Sequence, residues 1–253
     1  MRILLTNDDG IYAPGLDALY QELKEDYEVT VVAPESEMSA VGHSITLSNP
    51  LKVRKISKNN TFFGYGVNGT PADCVKIAVQ ELIEKRPDII LSGINHGANV
   101  GINVLYSGTV SAATEGTFLG IPSAALSLDA GKNPDFQFAA SFSRKIIDYI
   151  IKNNLNRNTA LNVNIPSVPK DEIRGVALTR QSMRLYTEKY EKRIDPRGNT
   201  YYWLTGEFSS GKREKDADTD LLPQKMITIT PITYDLTCLK ELERLAEKAL
   251  PEV

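Results

Sequence analysis

Short apolar runs separated by polar turns fill the first two thirds of the chain. Residues 3–5 make a brief apolar run that stops at Asn7-Asp8-Asp9-Gly10, a cluster of turn formers. Leu16, Leu19, Tyr20 and Leu23 then recur at helical spacing, and residues 27–33 return to a β-branched run that ends at Pro34. This is one β-α-β unit, with the spacing of a parallel pair and a right-handed crossover. Residues 51–56 and 61–67 predict two strands joined by Lys58-Asn59-Asn60, an antiparallel ribbon. Residues 71–84 predict an amphipathic helix with Thr70 as N-cap and Pro71 in its first turn; Cys74, Ile77, Ala78 and Leu82 share one face, and Pro87 closes it. Further strands are predicted at 88–93, 123–128 and 161–165, and further helices at 111–119 and 136–151.

Strands alternating with helices give an α/β fold: a three-layer α/β/α, Rossmann-like core with a mostly parallel sheet over residues 1–180. Residues 181–253 read differently. They are rich in charge and in Tyr186, Tyr190, Tyr201, Tyr202 and Trp203, and residues 211–220 are strongly polar. Strands at 200–205 and 226–232 and a terminal helix at 236–249 predict a C-terminal hairpin arm. It either closes over the site or carries subunit contacts, and it is no independent domain.

Composition narrows the class. The chain has 253 residues, 24% charged and 42% hydrophobic, with a net charge of -3. That is a globular composition without the basic field that holds a nucleic acid polymer. No apolar stretch approaches the roughly 20 residues of a membrane span. The N-terminal apolar run is too short for a signal peptide. Cys74 and Cys238 are the only cysteines, so neither a disulfide framework nor a zinc-thiolate site is expected, and a cytoplasmic location is.

The candidate chemistry lies in four loops on the edge where open α/β sheets bind ligands. In the first, Asp8 and Asp9 stand side by side just past a strand. Like charges so placed need a cation, a proton or water. A hard divalent ion is one answer; a plain turn whose carboxylate caps the next helix is the other. The second loop, residues 34–44, contains Ser39, Gly42 and His43. The third, from Ser92 to Asn103, holds three Gly and three Asn, with Asn95, His96 and Asn99. Asn supplies a neutral oxygen or two amide donors, and glycine lets a phosphate approach the main chain; a solvated surface loop would read the same. The fourth, Ser107-Gly108-Thr109, opens a helix whose free N–H groups suit an anion, with a simple N-cap compatible with that role.

Neither a Walker loop nor a dinucleotide fingerprint is present. His43 and His96, the only histidines, could each be an acid, a phosphate donor or a bystander, and they share no metal-ligand spacing. All candidate ligands are therefore oxygens, which points to Mg²⁺ or Mn²⁺ over zinc. Arg180 and Arg184 could meet phosphate or ribose oxygens, though such charges on an extension are more often solvated.

Taken together, residues 6–10, Ala33-Pro34, Ser39-Ala40, residues 42–46, 69–74, 92–99 and 106–113 resemble the SurE survival-protein family of 5'/3'-nucleotidases. Residues 179–182, 201–203 and 229–231 extend the resemblance over nearly the whole chain. It implies a metal-dependent phosphatase acting on nucleoside 5'- and 3'-monophosphates and on short polyphosphate, with one divalent ion per subunit. It implies Asp8, Asp9, Ser39 and Asn95 as metal ligands, Asn99, Ser107, Gly108 and Thr109 in the phosphate pocket, and homodimers or homotetramers built through the arm and an exchanged C-terminal segment. It also implies either His or Arg at position 96. The expected reaction is metal-assisted hydrolysis, with Asp9 mainly a ligand and Asp8 orienting or deprotonating water or forming a phosphoaspartate. The rivals are a nucleotide-sensing module with the same pocket and a nucleotide-sugar transferase.

Overall fold

In β1 (Arg2–Thr6), Ile3 and Leu5 face one side of the sheet and Leu4 the other, and all three are buried. Burial on both faces explains why the strand reads as an unbroken apolar run. The computed structural model describes residues 1–129, 131, 134–184, 186–208 and 214–248. After β1 the chain forms α1 (Pro14–Leu23), β2 (Glu28–Pro34), β3 (Val53–Lys58), β4 (Thr61–Val67), α2 (Pro71–Ile77), β5 (Ile89–His96), α3 (Gly108–Phe118), β6 (Ser123–Leu128), α4 (Phe136–Lys152) and β7 (Ala160–Ile165). It continues with β8 (Gly175–Leu178), β9 (Tyr186–Ile194), β10 (Thr200–Phe208), α5 (Asp218–Leu221), β11 (Met226–Ile232) and α6 (Leu239–Ala246).

The main sheet runs β3-β4-β2-β1-β5-β6-β7-β11-β8. The stretch from β4 to β7 is parallel; β3 pairs antiparallel with β4, and β11 antiparallel with β7. α1 and α4 cover the face carrying Ile3, Leu5, Ile89 and Leu91, while α2 and α3 cover the face carrying Leu4, Val32 and Ile90. The three layers and the ribbon at Asn59-Asn60 follow the sequence pattern. Both asparagines have positive φ, as a two-residue hairpin turn of this kind requires.

Three differences from the sequence reading have local causes. The helix at 71–84 is α-helical only to Ile77; residues Ala78–Leu82 widen to a π turn, closed by Ile83 N–H donating to Ala78 O, and Leu82 packs against the Leu4 cluster. β5 runs past Gly93 to His96, because pairing with β6 resumes after an irregularity between Ser92 and Asn95. Gly93 has φ +129°, and a Cβ there would lie 2.2 Å from Leu126 O, so only glycine lets the two strands continue together. Finally, the strand at 226–232 belongs to the main sheet as β11, between β7 and β8, so the sheet crosses the expected division at residue 180. The part that leaves the sheet is the β9–β10 hairpin, a two-stranded antiparallel arm. The end of the expected terminal helix at Ala249 and residues 211–213 of the polar stretch lie outside the described residues. Among the described residues no helix is long and apolar enough to cross a membrane.

Candidate active site

The parallel strands run β4-β2-β1-β5-β6-β7, so the direction of winding reverses between β1 and β5. The carboxyl ends of those two strands therefore diverge into a crevice, the usual ligand position in such sheets. Asp8 and Asp9 leave β1 there, and Asn95 and His96 end β5 there. The loop after β2 adds Ser39, the loop after β5 adds Asn99, and Ser107 adds the N-cap of α3. These residues line one cleft of about 1010 Å³.

Asp8 is buried and held from one side. Its Oδ2 accepts from Thr109 N–H at 3.0 Å, and its Oδ1 accepts from Thr109 Oγ1. Burial pushes its carboxyl above the ordinary range, and the bonds from Thr109 and the Gly108 amide work against that. Asp9 is pushed up to about 6, first by burial and then by the charge of Asp8, with the His96 N–H bond at 3.2 Å opposing. Neither carboxylate forms an ion pair among the described residues. α1 is capped by Ala13 without a side-chain bond, so neither aspartate caps the following helix. The two carboxylates stand side by side in the turn, and neither has an ion pair among the described residues.

The donors fit a hard divalent cation. Asp8 and Asp9 carry the charge; the Ser39 hydroxyl and Asn95 Oδ1 are neutral oxygens on the same cleft. Asn95 Nδ2 donates to Gly97 O at 2.7 Å, which leaves Oδ1 without a hydrogen bond among the described residues. No group of three or more His, Cys, Asp or Glu that could hold a metal occurs among the described residues, so any ion here would draw on the neutral oxygens of Ser39 and Asn95 as well as the two carboxylates.

The structure separates the remaining candidates. Gly108 and Thr109 do not line the cleft; the α3 N-terminus is turned onto Asp8, so the amides expected to cradle phosphate hold the carboxylate instead. A Cβ at Gly108 would lie 2.7 Å from Asp8 Cβ, which explains the glycine. Gly42 is tied to the cleft wall by its N–H bond to Tyr106 O. His43 faces away: its Nε2 meets Glu115 Oε2 at 2.9 Å, and its ring packs on Phe118. Burial raises the Glu115 carboxyl, but the bonds from His43 and Lys76 outweigh it and bring the value below the ordinary range. His96 lines the cleft near Phe136. Arg180 pairs with Asp216 and Arg184 with Asp220, so both are engaged in anchoring the base of the arm.

Glu37 and Leu204 escaped the sequence reading. Glu37 lines the cleft, accepts from Ser39 Oγ at 2.5 Å and adds to the upward push on Asp9; it was one acid among several in a polar loop. Tyr190 and Leu204, cross-strand neighbours on the arm, line the cleft beside Tyr106 and Ile102. The clustering of tyrosines was the only sequence signal for that wall.

Fold and cleft together define an open α/β protein with an acidic, oxygen-lined cleft at its topological switch point. A sequence model described as Survival protein SurE matches residues 3–188. The chain is 55% identical to "5'-nucleotidase SurE" of Syntrophus aciditrophicus over 238 residues, covering 94% of this chain and 90% of the relative. It is 51% identical to the protein of the same name from Syntrophobacter fumaroxidans, over 98% and 99% of the two chains. The crystal structure of the SurE protein from Aquifex aeolicus superposes with a TM-score of 0.84 at 41% identity, covering 97% and 98%. The chain belongs to the SurE family.

Proposed function

We propose that the chain is a phosphomonoesterase, a 5'-nucleotidase that hydrolyses nucleoside monophosphates with one bound divalent ion, Mg²⁺ or Mn²⁺. The observation that carries this reading is the adjacent pair Asp8, buried, and Asp9, half-buried, at the switch point, with raised carboxyl values and no ion pair to either among the described residues. A site built only to bind phosphate gains nothing from two bare anions; a site that holds a cation needs them. The names of the relatives supply the substrate class. Nucleoside 3'-monophosphates and short polyphosphate belong to the proposed range as well.

Asp8, Asp9, Ser39 and Asn95 would hold the ion, which supplies Lewis acidity and charge neutralisation at the phosphoryl oxygens. Thr109 fixes Asp8 through both carboxylate oxygens, so Asp8 orients the attacking water and accepts its proton from a set position. Ser107 and Asn99 border the phosphoryl group, and Tyr106, Ile102, Tyr190 and Leu204 provide apolar surface for the nucleoside. Assembly into dimers or tetramers is part of the proposal. It is supported by exposed Tyr202 and Trp203 on the arm and by Leu239, Leu242 and Leu245, exposed on α6. Sedimentation analysis reads the assembly directly.

The deciding experiment measures phosphate release from a panel of nucleoside monophosphates and from p-nitrophenyl phosphate, with EDTA, Mg²⁺ or Mn²⁺. Metal-dependent turnover that Asp8→Asn abolishes is expected. Full activity of metal-loaded Asp8→Asn would overturn the roles given to Asp8. Nucleotide binding without turnover under every ion would replace the enzyme by a sensing module. Mass spectrometry of acid-quenched enzyme tests the mechanism: a phosphorylated Asp8 would contradict direct attack by water.

A further inference from the structure

The buried asparagines of β7 do not serve the sheet. Asn162 and Asn164 are fully buried at alternate positions, between Leu161, Val163 and Ile165, which face the α1–α4 side. A buried amide is costly unless its hydrogen bonds are made. Here three of the four amide groups find their partner on one residue of another element, Asn99 in the loop after β5, while Asn162 Oδ1 has none among the described residues. Asn164 Oδ1 accepts from Asn99 N–H at 2.7 Å, and Asn164 Nδ2 donates to Asn99 O at 3.1 Å. Asn162 Nδ2 donates to the same carbonyl at 2.7 Å. On the neighbouring strand β6, Ser127 Oγ lies 2.9 Å from Asn99 Nδ2. One side-chain amide thus grips both the N–H and the C=O of a cleft residue, and a second doubles the bond to its carbonyl.

From this clamp we infer that Asn162 and Asn164 are positioning residues for the phosphatase reaction: they fix the backbone of Asn99 in the cleft from outside it. The inference rests on the proposed function. The loop around Asn99 has three other anchors, Gly97 N–H on Leu128 O, Gly101 N–H on Asp218 Oδ2 and Gln181 Nε2 on Gly101 O, and all lie two residues away. Among the described residues only the β7 amides hold the peptide groups of Asn99 itself. Groups that border a reacting phosphoryl must be placed to within about an ångström, and a misplacement of that size costs on the order of 100-fold in rate.

The test uses Asn164→Asp, which keeps the shape. A protonated carboxyl has one acceptor and one donor and reproduces the amide; an ionised one sets a second acceptor against Asn99 O. The register neighbours of position 164, Ser127 on β6 and Thr228 on β11, are uncharged, and burial holds the introduced carboxyl above its ordinary value. In kcat/KM the variant should therefore fall on the order of 10- to 100-fold below wild type near pH 8 and recover most of that loss near about pH 5. Each value is taken as a ratio to wild type at the same pH, with both proteins folded by circular dichroism. Hydrogen exchange at the Asn99 amide should lose and regain protection over the same range. A ratio that is flat with pH overturns the positioning role, as does lost protection with unchanged activity. Asn162→Ser, which removes one of the two bonds to the Asn99 carbonyl, should cost less than Asn164→Asp near pH 8; an equal or larger loss contradicts the clamp. If the wild type hydrolyses no phosphomonoester, the proposed function fails and the positioning role with it, while the exchange measurement still reads the clamp.

Discussion

Replacing Asp9 by Asn should make the metal-free protein more stable while it impairs metal binding. In the folded chain the Asp9 carboxyl stands at about 6, against an ordinary 3.8. Because the folded value is the higher one, ionised Asp9 opposes folding. The cost is absent below the unfolded value, grows between 3.8 and about 6, and is complete above that. The gap corresponds in full to about 3 kcal/mol, and the partial exposure of Asp9 reduces it to about 1–2 kcal/mol. Asparagine keeps the acceptor for His96 N–H and removes the charge. Urea unfolding in EDTA should show Asp9→Asn more stable than wild type by about 1–2 kcal/mol near neutral pH, with the gain vanishing near pH 4. Adding Mg²⁺ or Mn²⁺ at a hundredfold excess over its dissociation constant should raise wild type by about 2.7 kcal/mol, and the variant by much less. The reasoning is refuted if Asp9→Asn is the less stable protein in EDTA at neutral pH, or if its gain is the same near pH 4.

Other substitutions probe the supports of the site. Gly108→Ala puts a methyl 2.7 Å from Asp8 Cβ; it should cost about 1–3 kcal/mol in unfolding experiments and lower kcat/KM with metal weakened. Thr109→Val removes the hydroxyl on Asp8 and should lower turnover about tenfold or more, whereas Thr109→Ser should keep most of it. Glu115, held below its ordinary value by His43 and Lys76, contributes stability that is lost as pH falls through its folded value. Denaturation of Glu115→Gln at several pH values should therefore show a deficit against wild type at neutral pH that shrinks in acid. Ile147→Ala opens a cavity in the α4 face of the core and should cost about 2–5 kcal/mol in urea, leaving KM unchanged.

Elements buried on both faces or on one clear stripe were legible, because burial writes itself into the chain as apolar runs or helical spacing. β1, β2, β7 and α4 are of that kind. β8 and β9 were not: β8 has four residues with alternating exposure, and β9 is a tyrosine- and charge-rich strand that, among the described residues, pairs with β10 alone. The carboxylate pair and Asn95 could be read from the chain because a strand end followed by acids or amides is local information. The partners of His43 and of Asn99 could not, since Glu115 lies 72 residues from His43 and Asn164 lies 65 from Asn99. The alternation of Asn and apolar residues in β7 does not say what surrounds the amides: both are completely buried, because β11 and the Asn99 loop, each distant in sequence, lie against the strand.

The place of β11 sets an order of events during synthesis. When β7 leaves the ribosome its outer edge has no neighbour, for the strand that covers it is still more than sixty residues away in the chain. β8, made soon after β7, has nothing to pair with either, since among the described residues its ladder is to β11 alone. A nascent or truncated chain that stops before Met226 thus carries an open edge flanked by Leu161, Val163 and Ile165, which invites pairing with another such chain. Quality control and expression of this protein should therefore be more sensitive to lesions in residues 226–232 than to changes of similar size in the exposed arm.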